Sequence, residues 1–487
     1  MDDLVFLTVR HLARLIRERQ SSAVEVLEAH LRHIAQHNVK LNAIVTLDEE
    51  GARRRAQAAD AALARGEIWG PLHGIPVTIK DSFETLGLRT TSSHPPLSNY
   101  IPKQDATPVA RWRAAGAIIL GKTNLPELAG DAQTDSPIFG RTNNPWNLDC
   151  TPGGSTGGGA AAVAAGLSPL ELGSDIGGSI RIPSHFCGIF GLKPTEHRVS
   201  SAGHIPDLPG QVRGVRHLGT FGPLARSVED LRLGFALMAG PDGRDWEIPP
   251  VPLDTPDPKP LRERRFAWTD DFGGAPVTVE TRAAMENVAA RLAALGCRVE
   301  RCSPPGFSIE VAWGAYGAIF GSEAGLGMSP MIRRMATLLA PFLPKDDRIT
   351  HAIVRGFRLK VEPYLAALAR RDELITSLEN FLGEWDAWLC PVSATPAFTH
   401  RKVTRTSPPP AIRVDDRSVP YWTACVAHTS VFNLTGHPVV VCPIARSTDD
   451  LPIGIQVVGR RWCEMELLNV AESLTEVTGE FQPPPGY

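Results

Sequence analysis

Near the start of the chain, Val9, Leu12, Leu15 and Ile16 recur at helical spacing and predict a first amphipathic helix. Ser22 and Glu25 stand three apart, just ahead of Val26, Leu27, Leu31 and Ile34 in the same period. That is a capping box: the serine hydroxyl can accept the glutamate N–H while the glutamate accepts the serine N–H, which opens a second helix. An arginine- and alanine-rich helix is expected over residues 49 to 65, with Arg53-Arg54-Arg55 as a solvated face. From about residue 72 the period changes. Short apolar runs, IPVTIK (75–80), AIIL (117–120) and PLELGSD (169–175), have strand length and are separated by glycine, proline and helix-like stretches. A proline-rich passage (241–260) is expected to be an extended surface connection. Beyond it RFAWTD (265–270) and CRVERC read as strands around a helix over 279–295, stopped by Gly296. Residues 305–380 are mainly helical in pattern, and AWLCPV, PVVVCP and GIQVVGR follow as strands before a last helix near 463–478. This alternation predicts the α/β class. The expected organisation is one domain over 1–487. It comprises an N-terminal helical segment (1–70), a core over 72–240 and its continuation over 261–487, with a helical excursion inside the latter.

Composition changes this picture in a few places. The 44 glycines and 42 prolines exceed average usage of about 7% and 5%, too many chain breakers for a helical bundle. Fifty Lys and Arg against 53 Asp and Glu leave a net charge of −3 with the bases scattered, so nucleic acid is not an expected partner. No apolar run reaches the ~18 residues of a spanning helix, and the acidic start lacks a basic leader region. A cytoplasmic protein with no membrane partner is therefore expected. The eight cysteines form no CxxC pair, and several sit in apolar stretches such as FCGIFGL and VVVCP, so buried reduced thiols are expected. His73, His94 and His185 have no metal-ligand spacing; neither metal nor cofactor is expected.

The densest chemistry lies in PGGSTGGGA (152–160) and, 24 residues after Ser155, in GSDIGGSIRIP (173–183) around Ser179. Each serine stands in a glycine-rich turn. Glycine lets backbone come close to a ligand and lets successive N–H groups converge, the geometry that an anionic tetrahedral intermediate needs. A pair of ordinary tight turns is the plain alternative. Two further motif matches compete. Gly116, Gly121, Lys122 and Thr123 satisfy a phosphate-loop pattern, although AIIL between the glycines reads as a strand and Asn124-Leu125-Pro126 follows where a helix should start. Gly153, Ser155 and Gly157 satisfy the esterase elbow, with Ser155 as nucleophile and His428 or His437 as base, although NPWNLDCTP before it makes a poor strand.

The segment TPGGSTGGGAAAVAAGLSPLELGSDIGGSIRIPSHFCGIFGLKPT (151–195) resembles the defining segment of the amidase signature hydrolases. The similarity extends to GIPVTIKD (74–81), GKTNLPE (121–127), NPWN (144–147) and LPIGIQVVG (451–459), and so to nearly the whole chain. It implies an α/β/α sandwich around a large mixed, twisted central sheet. It also implies a Ser-Ser-Lys triad: Ser179 as nucleophile, Ser155 as a bridging serine after a cis Gly154–Ser155 bond, and Lys80 as base. The backbone N–H groups of Ile176, Gly177, Gly178 and Ser179 match the family's oxyanion hole, with Asp175 and Arg181 as supports. The chemistry is coherent on its own terms, because a serine needs a base within reach and a buried lysine can be neutral. The implied reaction is hydrolysis of a carboxylic amide through a seryl acyl-enzyme, with esters or carbamates as further substrates.

Three departures stand out. Thr156 occupies a position where a second serine is frequent, and Gly159 one where serine is frequent. Glutamine-using amidotransferase subunits on this fold usually carry Arg-Gln-Pro after the nucleophile, whereas this chain has Arg181-Ile182-Pro183, which weighs against that role. The expected partner is a small-molecule amide, with a second copy of the chain left open. Trp313, Tyr316, Phe320, Met328, Met331, Met335 and Phe342 either pack the core or line a substrate pocket, for which Tyr316 and Phe320 are the candidates.

Overall fold

The apolar runs lie side by side in one sheet. A computed structural model describes residues 2–207, 213–254, 256, 259–402 and 409–487. In chain order its strands begin with β1 (Ile44–Leu47), β2 (Pro76–Lys80), β3 (Ile118–Thr123) and a short hairpin, β4 (Asp135–Ser136) with β5 (Gly140–Arg141). They continue with β6 (Leu170–Asp175), β7 (Phe190–Lys193), β8 (Thr220–Ala225), β9 (Arg265–Trp268), β10 (Arg298–Arg301) and β11 (Ala387–Pro391). A second hairpin, β12 (Ile412–Val414) with β13 (Arg417–Val419), precedes β14 (Val439–Arg446) and β15 (Pro452–Val458). Leaving out the hairpins, eleven strands form one sheet in the order β1-β3-β2-β6-β8-β7-β14-β15-β11-β9-β10. The sheet is mixed: β3, β2 and β6 run parallel, as do β11, β9 and β10, while β6–β8–β7–β14–β15–β11 pair antiparallel. Strands from both sides of the proline-rich passage thus share it; residues 255, 257 and 258 of that passage lie outside the described residues.

Both faces of the sheet are covered, and the strands show it by their period of two. Ala387 and Leu389 of β11 enter one apolar core, with the N-terminal helices and the last helix, Glu464–Thr478. Trp388 and Cys390 enter a second, with the helices Ile309–Leu326, Val361–Leu382 and Tyr421–Leu434. A layer of helices on each face makes the α/β/α sandwich.

Most predicted elements stand where the periods placed them. Ser22 and Glu25 form the reciprocal capping box, and the second helix runs over Ala23–Leu41. The alanine-rich helix spans Glu49–Ala64, and the helix before Gly296 spans Val279–Ala294. The helical excursion resolves into Ile309–Leu326, Pro330–Leu339, Arg348–Gly356 and Val361–Leu382. Arg55 departs from the solvated face expected of it: its guanidinium lies over the Trp69 ring and donates to Arg113 O. All eight cysteines are free, six of them buried.

Among the described residues no helix is long and apolar enough to cross a membrane. The phosphate-loop reading fails on the fold. Gly121, Lys122 and Thr123 continue β3 instead of opening a helix, and Lys122 is fully buried. Its Nζ donates to Phe83 O, Thr85 Oγ1 and Thr90 Oγ1, so it is a structural cation tying β3 to the loop after β2.

Candidate active site

β2 and β6 are parallel neighbours, with Thr78 opposite Glu171 and Ile79 opposite Leu172, so Lys80 and Ser174 reach the same edge of the sheet. Ser155 arrives from the stretch before the helix Gly157–Ala164, which packs on both strands. The Gly154–Ser155 peptide bond is cis. Gly154 has no space for a side chain, because a Cβ there would lie 2.7 Å from the carbonyl oxygens of both Asp131 and Gln133.

The three segments meet at Lys80. Its side chain is fully buried, and Nζ donates to Ser155 Oγ at 2.7 Å and to Thr156 Oγ1 and Ser174 Oγ at 3.0 Å each. Burial lowers the Lys80 pKa to about 7, against the pull of Asp175 and Glu171, whose charges favour the ammonium. A lysine in that range has a substantial neutral fraction at pH 7 and can accept a proton. Ser179 stands across the turn: Thr156 N–H donates to Ser179 O at 3.1 Å, which fixes the Ser155 and Ser179 backbones against each other. Among the described residues Ser179 Oγ makes no hydrogen bond, so its hydroxyl is uncommitted.

The turn after β6 is held by its carbonyls and by one carboxylate. Tyr316 Oη donates to Ile176 O at 3.1 Å, Thr429 Oγ1 to Gly177 O at 2.5 Å and Thr220 Oγ1 to Asp175 O at 3.1 Å. With the carbonyls turned outward, the N–H groups of Ile176, Gly177 and Ser179 have no acceptor among the described residues. Gly178 differs from the expected donor set: its N–H donates to Asp175 Oδ1 at 2.8 Å and belongs to the frame of the loop. A Cβ at Gly177 would come within 2.8 Å of Tyr316 Oη, so a side chain there would displace the hydroxyl that holds Ile176 O.

Asp175 and Arg181 are both fully buried and bind each other, Arg181 Nη2 to Oδ1 at 2.9 Å and Nε to Oδ2 at 3.1 Å. Asp175 also accepts from Ile180 N–H and Asn433 Nδ2, and Arg181 donates to Thr429 O, Gln456 Oε1 and Asn433 Oδ1. Burial would raise the carboxyl pKa, but the charge and hydrogen bonds of Arg181 and the amide of Asn433 outweigh it and hold Asp175 well below the usual carboxylate range. A buried pair this fully hydrogen-bonded acts as a rigid post for the turn.

The esterase elbow does not form. Residues 151–156 contain no strand, and Ser155 is bonded to Lys80. His428 packs against the Phe272 ring, His437 Nε2 lies 3.1 Å from Glu379 Oε1, and burial lowers both rings to about 4. The aromatic and methionine set divides. Trp313 is core and donates to Ala427 O; Tyr316 is buried and braces the turn after β6, with half-buried Phe320 stacked on it at 5.7 Å. Met331 and Met335 lie on the helix Pro330–Leu339, no residue of which is buried, and Phe342 beyond it is 80% exposed, so they do not pack the core. Among the described residues no group of three or more His, Cys, Asp or Glu is placed to hold a metal ion.

A family model described as Amidase matches residues 25–468. The chain belongs to the amidase signature family. The chain is 34% identical over 498 residues to a glutamyl-tRNA(Gln) amidotransferase subunit of Roseiflexus castenholzii, covering 98% of this chain and 97% of that one. Its fold superposes on a substrate complex of 6-aminohexanoate cyclic dimer hydrolase with a TM-score of 0.82, at 28% identity and 99% coverage of each chain. It superposes likewise on the corresponding glutamyl-tRNA(Gln) amidotransferase subunit of Thermotoga maritima (TM-score 0.79, 27% identity, 99% of this chain and 98% of that one). Family membership places the chemistry of this chain at carbon–nitrogen bonds.

Several polar residues at the candidate site carry no sequence motif of their own: Ser174 and Thr156 as further acceptors from Lys80, and Thr429, Asn433 and Gln456 around the turn after β6. One signal was available. Thr423, His428, Thr429, Ser430 and Asn433 interrupt the otherwise apolar helix Tyr421–Leu434, and a polar group inside a buried helix needs a partner.

Proposed function

We propose that this amidase hydrolyses a small-molecule carboxylic amide through an acyl-enzyme on Ser179. The observation that carries the reading is the buried Lys80 Nζ at 2.7 Å from Ser155 Oγ, beside a turn whose N–H groups at Ile176, Gly177 and Ser179 have no acceptor among the described residues. Ser179 Oγ attacks the carbonyl carbon and its proton passes through Ser155 to neutral Lys80. The N–H groups hold the developing oxyanion. The C–N bond then breaks as Lys80, again through Ser155, returns the proton to the leaving nitrogen, and water enters by the same path to release the acid.

A second reading, the glutamine-dependent amidotransferase role, draws on the identity to the amidotransferase proteins. Against it stands Ile182, a buried apolar residue after the Arg181 support. The test incubates the purified chain with aliphatic amides, anilides, esters, carbamates and glutamine, and follows product release and the mass of the Ser179 peptide. Turnover of simple amides by the chain alone, with an acyl adduct on Ser179, is expected. Activity confined to glutamine and dependent on an added partner protein would overturn the hydrolase reading.

A further inference from the structure

Glu171 is fully buried in β6 and has no part in the proton path. It is nevertheless built into the floor of the site. Thr78, its register partner on β2, lies two residues before Lys80, and Thr123, the register partner of Lys80 on β3, donates its hydroxyl to Glu171 Oε1 at 2.6 Å. The carboxyl lies against the first turn of the helix that follows Ser155 and Thr156. A Cβ at Gly159 would come within 2.4 Å of Oε1, so the absence of a side chain there is what makes space for the glutamate. Glu171 Oε2 has no hydrogen-bond partner among the described residues.

We propose that Glu171 is a positioning residue for catalysis that sets the proton affinity of Lys80, and with it the pH range in which Ser179 is activated. This rests on Lys80 being the base. The titratable groups acting on that lysine are Asp175 and Glu171 from β6 and, from the loop before β8, the His204 ring, which burial holds well below the usual histidine range; Lys122 of β3 acts on Glu171 in turn, and Asp81 follows Lys80 in the chain. Asp175 is matched by Arg181, and Asp81 lies 3.8 Å from Lys122. Glu171 is the carboxyl facing Lys80 that has no cation bonded to it among the described residues. Its charge favours the ammonium that Lys80 becomes when Ser179 loses its proton, so a base that burial alone would make too weak keeps enough affinity to take that proton. Burial in turn pushes Glu171 up to about 7, against the hydrogen bond from Thr123 and the charges of Lys80 and Lys122. The two groups therefore titrate as a coupled pair.

A fluorophosphonate supplies a readout that needs no natural substrate: the Ser179 Oγ–P bond forms, the P–F bond breaks, fluoride leaves and the serine proton ends on Lys80. The labelling rate is measured against pH in the wild-type chain, Glu171→Gln, the double variant Glu171→Ala/Gly159→Ala and Lys80→Met, with folding checked by thermal unfolding. Removing the negative charge should move the acid limb to lower pH by on the order of one unit and lower the plateau severalfold, because the lysine becomes a weaker base. The double variant puts a methyl where the carboxyl stood. It should show the same shift, and it carries the test if the glutamine variant does not fold. A wild-type limb that Lys80→Met abolishes but that neither Glu171 variant moves would overturn the role of Glu171 alone. Near-normal labelling of Lys80→Met would instead overturn Lys80 as base.

Discussion

Replacing Asp175 by asparagine keeps the shape of the side chain and removes one charge from the post that holds the oxyanion turn. Oδ1 accepts from Gly178 N–H, Arg181 Nη2 and Asn433 Nδ2, and Oδ2 from Ile180 N–H, Arg181 Nε and Arg181 N–H. Whichever way the amide turns, its NH2 group faces three donors, and Arg181 loses the carboxylate of its buried ion pair. Breaking a buried pair from one side costs about 3–5 kcal/mol. For a chain of 487 residues, with an unfolding entropy of about 2.1 cal/mol/K per residue, that is a fall in Tm of roughly 3–5 °C. Function should suffer more than stability, because Gly178 and Ile180 no longer anchor the turn and the free N–H groups beside them drift. Losing one oxyanion donor costs about 10²–10³ in rate, and phosphonate labelling of Ser179 should slow by at least that factor. The double variant Asp175→Asn/Arg181→Met separates the two effects: removing the orphaned charge should recover much of the Tm and none of the labelling rate. A single variant with wild-type Tm and wild-type labelling would refute the claim that this pair organises the turn.

Three further outcomes follow from the same geometry. Burial lowers Lys80 to about 7 and the neutral form is the base, so labelling should fall about tenfold per pH unit below 7 and level off above about 8; a limb near pH 10 would show that burial does not tune it. Ser179→Ala should abolish labelling, while Lys80→Ala and Ser155→Ala should each slow it by several orders of magnitude and the pair together by no more than either, because they serve one proton path; strictly additive losses in the double variant would contradict the shared path. Tyr316→Phe removes the hydrogen bond to Ile176 O and should lower kcat/KM about five- to tenfold alike for every amide accepted, whereas Phe320→Ala should change the ranking among amides; the converse pattern in a substrate panel would exchange the two roles.

Much of the fold was legible because helix and strand periods are local. Val9 to Ile16, the Ser22–Glu25 box and the runs IPVTIK, AWLCPV and GIQVVGR each name their element within about ten residues. The elements that escaped lack a clean period. β8, TFGPLA, carries Gly222 and Pro223 yet lies between β6 and β7 in the sheet, and the helix Arg181–Cys187 contains Pro183. The glycine-rich turns around Ser155 and Ser179 also marked the chemistry, since the need for converging N–H groups is written in residue type. What no local pattern contains is the meeting of distant residues. Lys80 reaches Ser155 across 75 positions and Ser174 across 94 because β2 and β6 are neighbours in the sheet, an order set by how eleven strands bury two faces at once. The same packing committed the Gly178 N–H to Asp175, joined the Tyr316 hydroxyl to Ile176 O, and set the Glu171 carboxyl in the space left by Gly159. Charge, burial and hydrogen-bond vacancy at the site are properties of these neighbours in three dimensions, so the tertiary structure alone decided them.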